Sequence, residues 1–185
     1  MKPRDASRSA KRAQLALFPS LGYDIAPRDA QDLMAWPFFS LAKRRRVTPI
    51  DFRMGATWIS VEAVPEHGMA TIWDADVLIW AASQIVAARD AGLPTSRLMA
   101  TTPHEILTFT GRGTGKDHYD RLKAALDRLQ STTVATSIRQ QHQRRRHRFS
   151  WINEWQERLD GDGRPLGLEL ILPDWFYAGV VDRTF

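Results

Sequence analysis

Residues 108–119 read TFTGRGTGKDHY. Glycine lets a backbone come close to phosphate oxygens, and a lysine beside exposed N–H groups adds positive charge, so the stretch has the makings of a phosphate cradle. Two chemistries use such a cradle. One is the loop of a nucleotide-hydrolysing enzyme. The other is a turn between two helices that faces the backbone of a much larger polyphosphate. The first requires the spacing G-x-x-x-x-G-K-[ST] after a buried strand. Counting back from Gly115 and Lys116, the first glycine position holds Thr110, and the magnesium-ligating hydroxyl position holds Asp117. The preceding segment HEILTFT begins with a helix cap. This is not a nucleotide-hydrolysing loop. In the second reading the glycines break one helix, and Arg112, Lys116 and the N–H groups opening the next helix face a DNA phosphate. A glycine turn with no ligand is the simpler alternative.

Other groups that could do chemistry are sparse. Asp74 and Asp76 could be a carboxylate pair or metal ligands, but acids at that position are expected to favour a helix N-terminus. His142 and His147 stand apart from other ligand types. No H-x-H pair accompanies Tyr119, as a strand-nicking site would need, so Tyr119 is expected in the core. Cysteine is absent, which excludes a disulfide framework and thiolate metal sites. The expectation is a protein that is not an enzyme and needs no metal or cofactor.

The charge is segregated. Residues 1–14 carry +4, KRRR at 43–46 carries +4, and RQQHQRRRHR at 139–148 carries +5. The chain as a whole has +5, which leaves −8 on everything outside those three stretches. Gathering cations on an arm, a connector and a loop points to a polyanionic partner. Solvated loops and a solubilising tail are the plainer alternative. The longest apolar run, VLIWAASQIVAA, is too short to span a membrane, and no apolar stretch follows the basic start as a secretory signal would require. A cytoplasmic protein is expected.

These groups must be positioned by elements that the patterning reveals. Residues 1–35 read as a basic, partly disordered arm with a short ordered patch at LALFPSLGY, and residues 36–185 as one globular unit. WISVEAV (58–64) alternates as a strand with Ile59, Val61 and Ala63 on one face. A helix follows in which Val77, Leu78, Ala81, Gln84, Ile85 and Ala88 recur at helical spacing, stopped by Gly92. TPHE (102–105) opens a short second helix, with Thr102 as N-cap and Glu105 reaching back to it. After the glycine turn a third helix runs from about 116 to 131 over a stripe of Tyr119, Leu122, Ala125, Leu126 and Leu129. Segments 133–138, 148–158 and 166–172 then alternate as strands, the second and third joined by DGDGRP. A further helix starts at Pro173, and the early stop suggests a chain that continues beyond Phe185.

Helix, short helix, turn, helix and β-hairpin make an α+β winged helix-turn-helix, with a three-stranded antiparallel meander whose basic loop is the wing. On the third helix, the face opposite the apolar stripe carries Asp117, Asp120, Arg121, Ala124, Asp127, Arg128 and Ser131. Arg121 and Arg128 could each grip a guanine edge, with Ala124 allowing close approach. The three aspartates favour instead a solvated face of ion pairs. The wing holds Arg139, Arg144, Arg145, Arg146 and Arg148 with no acid in the run, as phosphate contacts would require. Lys43, Arg44, Arg45 and Arg46 are candidates for phosphate or minor-groove contact, or are merely solubilising.

The blocks TIWDADVLIWAASQI, TGRGTGKDHYDRLKAALDRLQSTTVATSI and FSWINEW…GRPLGLELILPDWFYAGVV give the region from about 36 to 182 a pattern that resembles plasmid replication initiators of the replication initiator protein A family. The resemblance implies a winged-helix protein that binds short repeats (iterons) in plasmid origin DNA, helps open the duplex and recruits a host initiator or helicase. It further implies a bacterial cytoplasmic location with the plasmid, a homodimer, and a second winged-helix domain absent from these residues. Two other functions use the same residues. One is a winged-helix transcription regulator. The other is a dimerisation module with weak DNA binding, in which the aromatic strands bearing Trp151 and Trp155 pair with a second copy.

Overall fold

The structure is a computed structural model that describes residues 15–28, 33, 35–139 and 147–182. In chain order it comprises β1 (Leu17–Pro19), β2 (Ile50–Met54), β3 (Thr57–Glu62), α1 (Ala75–Asp90), β4 (Leu98–Thr101), α2 (Pro103–Phe109), α3 (Lys116–Ser131), β5 (Thr133–Thr136), β6 (Arg148–Ser150), β7 (Glu154–Leu159), β8 (Pro165–Ile171) and α4 (Asp174–Val181). The class is α+β. One sheet has the order β1-β4-β8-β7, with β1 parallel to β4 and the rest antiparallel. The other has the order β2-β3-β5-β6 and is antiparallel throughout.

α1 is the central element. The apolar positions read from its spacing are all buried, and so are Ala75, Trp80, Ala82 and Ser83 on its other sides. A helix buried nearly all round must satisfy its polar side chains internally. Gln84 does so by accepting from Leu21 N at 2.7 Å and donating to the Gly22 carbonyl at 2.7 Å. Ser83 accepts from Arg28 N at 2.9 Å. Residues 15–28, which contain the patch LALFPSLGY, are thereby strapped along α1, and Phe18 of β1 joins the core.

At α2 the Thr102 hydroxyl accepts from Glu105 N at 3.2 Å, as the sequence predicts, but the return bond of the capping box is not made. The Glu105 carboxylate instead accepts from the Thr101 hydroxyl at 2.7 Å and from the Ser20 hydroxyl. Anchoring β1 to β4 takes the carboxylate that the box would have used.

The strands after α3 do not form one meander. β5 pairs with β3 of the early hairpin and carries β6 on its other edge, whereas β8 pairs with β4 and carries β7 on its other edge. Between β6 and β7 the chain dives inward. Trp151 and Ile152 are 0% exposed, and Trp151 stacks on Phe39 at 4.8 Å and meets Phe38 edge-on at 5.5 Å. Burying that indole turns the chain out of one sheet and into the other. It also withdraws Trp151 from any surface at which a second copy could meet it.

Candidate nucleic-acid interface

α3 is held on both flanks. Leu122, Ala125, Leu126 and Leu129 form its buried stripe, while Tyr119 sits half-buried at the edge. Toward β7, the Tyr119 hydroxyl donates to Glu157, and Lys123 Nζ lies 2.8 Å from the same carboxylate and 4.5 Å over the Tyr119 ring. Burial, reinforced by the Glu157 carboxylate, pushes the Tyr119 hydroxyl up to about 12. Hydrogen bonds from Lys123 and Tyr119 hold Glu157 below the usual carboxylate range. The Trp155 indole N–H donates to Asp127 at 3.1 Å. Asp127 therefore braces the helix against the hairpin.

On the opposite flank Arg128 reaches Asp74 with both arms of its fork, Nε at 2.7 Å and Nη2 at 2.9 Å. Asp74 also accepts from Thr71 N at 2.9 Å. Its hydrogen bond raises the Arg128 guanidinium above its ordinary value, against the opposing effect of burial. Arg112 donates to Asp76 at 3.0 Å and to the Trp73 carbonyl at 3.1 Å. Burial raises Asp76 while the Arg112 charge works the other way. The two aspartates at the start of α1 are thus counterions for two arginines, one from the 111–115 turn and one from α3. Asp74 makes no capping bond to its own helix.

The connector 43–46 is fixed beside that flank. Ser40 bridges to Thr71, with Ser40 N donating to the Ala70 carbonyl and Ile72 N to the Ser40 carbonyl, each at 3.0 Å. Met69 N donates to the Arg46 carbonyl at 2.8 Å, and the Arg46 guanidinium turns back onto the carbonyls of Thr48 and Pro49. The stem of Arg45 lies across Gly68, whose φ of +77° suits glycine and where a Cβ would sit 2.4 Å from Arg45 Cγ. The result is a cleft of about 300 Å³ between connector and helix. Its walls carry Lys43, Arg44, Arg45, Arg112, Arg121 and Arg128, with Asp74 as the one carboxylate and Trp73 as its one large aromatic side chain.

The candidate residues from the sequence therefore separate into groups. Lys43, Arg44, Arg45, Arg112, Arg121 and Arg128, distant in sequence, meet in one cleft; Arg46 braces the connector. Arg128 is committed to Asp74, which takes up the fork that a guanine edge would need. Arg121 is exposed with no hydrogen-bond or ion-pair partner among the described residues, as are Lys43, Arg44 and Lys116. Ala124 is exposed on the outer strip of α3, one turn beyond Asp120. Beyond the end of β5, Arg139 donates to the Trp175 carbonyl at 2.6 Å and lies over its ring, while Arg148 at the start of β6 pairs with Glu62 at 3.2 Å. Arg144, Arg145 and Arg146 lie outside the described residues. Two cleft residues, His67 and Trp73, were not legible in sequence, because nothing local marks a tryptophan as exposed.

The turn at 111–115 is open, with Gly111 at φ +69° and Gly113 packed against the His118 ring. Gly115 stands at the N-cap of α3 without a side-chain cap, leaving the first N–H groups available beside Lys116. The β7–β8 turn is acidic, with the Asp160 carboxylate accepting from Asp162 N and Arg164 N. Among the described residues no group of His, Asp or Glu side chains is arranged to hold a metal, and no helix is long and apolar enough to cross a membrane.

The model of the family described as replication initiator protein A matches residues 28–185. A protein of Wigglesworthia glossinidia brevipalpis, provisionally named a replication protein, is 26% identical over 157 residues, covering 81% of this chain and 55% of its own length. The chain thus spans about half of that relative. Two crystal structures of domains 2 and 3 of RctB superpose with TM-scores of 0.58 and 0.56 at 14% and 13% identity. They cover 79% and 80% of this chain, and 60% and 58% of the RctB chains. At that identity the likeness is one of fold.

Proposed function

The chain belongs to the replication initiator protein A family, and we propose that it acts at a plasmid replication origin, binding repeated DNA sequences through a winged helix. It is a non-enzymatic DNA-binding protein whose contacts help to open the duplex and to bring in a host initiator or helicase. The observation that carries this reading is an order of elements. α1, β4, α2 and α3 are followed, after β5 and β6, by the β7–β8 hairpin, and β4, β8 and β7 lie side by side in the order β4-β8-β7. That order is what a winged helix requires, and it supports taking α3 as the second helix of a helix–turn–helix and the β7–β8 turn as the wing. On this reading the arginine loop belongs to a separate hairpin, β5–β6, inserted between α3 and the wing. Its arginines would supply additional phosphate contacts.

A second reading is favoured by the carboxylates. Asp117 and Asp120 stand on the exposed strip of α3, and Asp160 and Asp162 stand at the β7–β8 turn. These are the places where a winged helix meets the major groove, and acids there repel phosphates. A segment used chiefly for pairing two copies, with DNA held by the basic loop and connector, fits that distribution. Fluorescence anisotropy with the origin repeats and a scrambled duplex separates the readings. Preference for the repeats supports sequence recognition by this segment. Equal, weak binding supports the pairing role.

A further inference from the structure

We propose that the cleft between residues 43–45 and α3 is a binding site for single-stranded DNA, in which an unpaired base stacks on Trp73 and the adjoining phosphates lie on Lys43, Arg44 and Arg121. The proposal rests on the origin-DNA reading only for its choice of polyanion.

Three observations carry it. Trp73 is 44% exposed although it stands two residues before the largely buried helix α1. Leaving much of an indole in water forgoes a large apolar contribution, so an exposed indole inside a formed cleft marks a contact surface. It is also held in place, because the Arg112 guanidinium bonds its carbonyl and the next residue, Asp74, is locked by Arg128.

The second observation is charge. Arg128 and Arg112 neutralise the two nearby carboxylates, Asp74 and Asp76, while Lys43, Arg44 and Arg121 keep their charge without a partner among the described residues. An aromatic face within a cationic groove is the combination that single-strand binders use. The cations follow the backbone, and the ring stacks on whatever base is presented.

The third is size. A volume of about 300 Å³ is at the lower end for sites that hold one small ligand. It suits a single nucleotide unit, whereas a duplex keeps its bases stacked on each other and offers none to an indole. An origin-binding protein that helps to open DNA gains from such a site, since holding one released strand draws the melting equilibrium forward.

The test compares the whole chain with Trp73→Ala, Trp73→Phe and the pair Lys43→Ala/Arg44→Ala. Labelled oligo-dT and a repeat duplex are titrated by anisotropy, with circular dichroism reporting folding. Trp73→Ala is expected to weaken oligo-dT binding on the order of ten- to a hundredfold, with Trp73→Phe retaining most of it. The pair is expected to flatten the single-strand salt slope by about 1.4. Repeat-duplex binding should change little with Trp73→Ala. Unchanged oligo-dT binding by a folded Trp73→Ala protein overturns the proposal and leaves the duplex reading intact. Equal losses on both DNAs also overturn it, making the cleft a duplex-phosphate site. Trp73-dependent oligo-dT binding without preference for the repeats upholds the cleft while the repeat-recognition reading fails.

Discussion

Arg128 of α3 grips Asp74 with both arms of its guanidinium, at 2.7 and 2.9 Å, and the Asp74 side chain is only 3% exposed. The pair fastens α3 to the start of α1. Removing one partner leaves a buried charge with too few bonds, and breaking such a pair typically costs about 3–5 kcal/mol. Arg128 itself is part-exposed, so Arg128→Ala is expected to lose about 3 kcal/mol in urea unfolding, and Asp74→Asn less. A loss below about 1 kcal/mol for Arg128→Ala would mean that Asp74 is solvated and the pair unimportant.

Glu157 binds both Tyr119 and Lys123, and these bonds hold its carboxyl below the ordinary range. A depressed carboxyl stabilises the fold above its unfolded-state value and loses that contribution as the pH falls through the folded one. The stability gap between the wild type and Glu157→Gln is therefore expected to be widest at neutral pH and to close below about pH 4. Tyr119 works in the opposite direction. Raised from 10.0 to about 12, its hydroxyl favours the folded state below pH 10 and loses that effect as the pH approaches 12. Unfolding curves for wild type, Glu157→Gln and Tyr119→Phe across this range measure both.

Gly68 supports the connector. Its φ is +77°, and a Cβ there would collide with the stem of Arg45. Gly68→Ala is expected to cost about 1–2 kcal/mol and to push residues 45–46 off the cleft wall, weakening binding to any DNA in proportion to the displaced charge. Full affinity in Gly68→Ala would show that the connector does not need its place beside α3.

Gln84 bonds both Leu21 N and the Gly22 carbonyl from a fully buried position. Gln84→Ala leaves those backbone groups short of partners and is expected to destabilise by about 2–3 kcal/mol. Hydrogen exchange should then accelerate at residues 20–22 well before α1 itself opens. Uniform acceleration along the chain would place the role of Gln84 in the general core.

Much of the fold was legible in the sequence because its signals are local. The stripe of Leu122, Ala125, Leu126 and Leu129 and the Thr102–Pro103 helix start lie in the chain where they act in space. β4 was missed, since four residues that are all buried carry no alternation, and β2 was missed although Gly55 marks its turn. The division of the later strands between two sheets was not legible, because sheet membership depends on what Trp151 packs against. The cleft was hidden for a similar reason. Its cations at 43–45 and 121 are each marked by type, but it takes tertiary contacts such as the Ser40–Thr71 bridge and the Arg128–Asp74 pair to bring the two segments together.

The proposed function is tested most plainly by a salt series of binding to duplex carrying candidate origin repeats, set against scrambled duplex, with Arg144, Arg145 and Arg146 changed to alanine in parallel. The proposed function requires preference for the repeats. With roughly four neutralised phosphates it requires a log–log salt slope of about −3.6, flattened by about 2.7 in the triple variant. Weak binding, equal on both duplexes and unaltered by the substitutions, would contradict it.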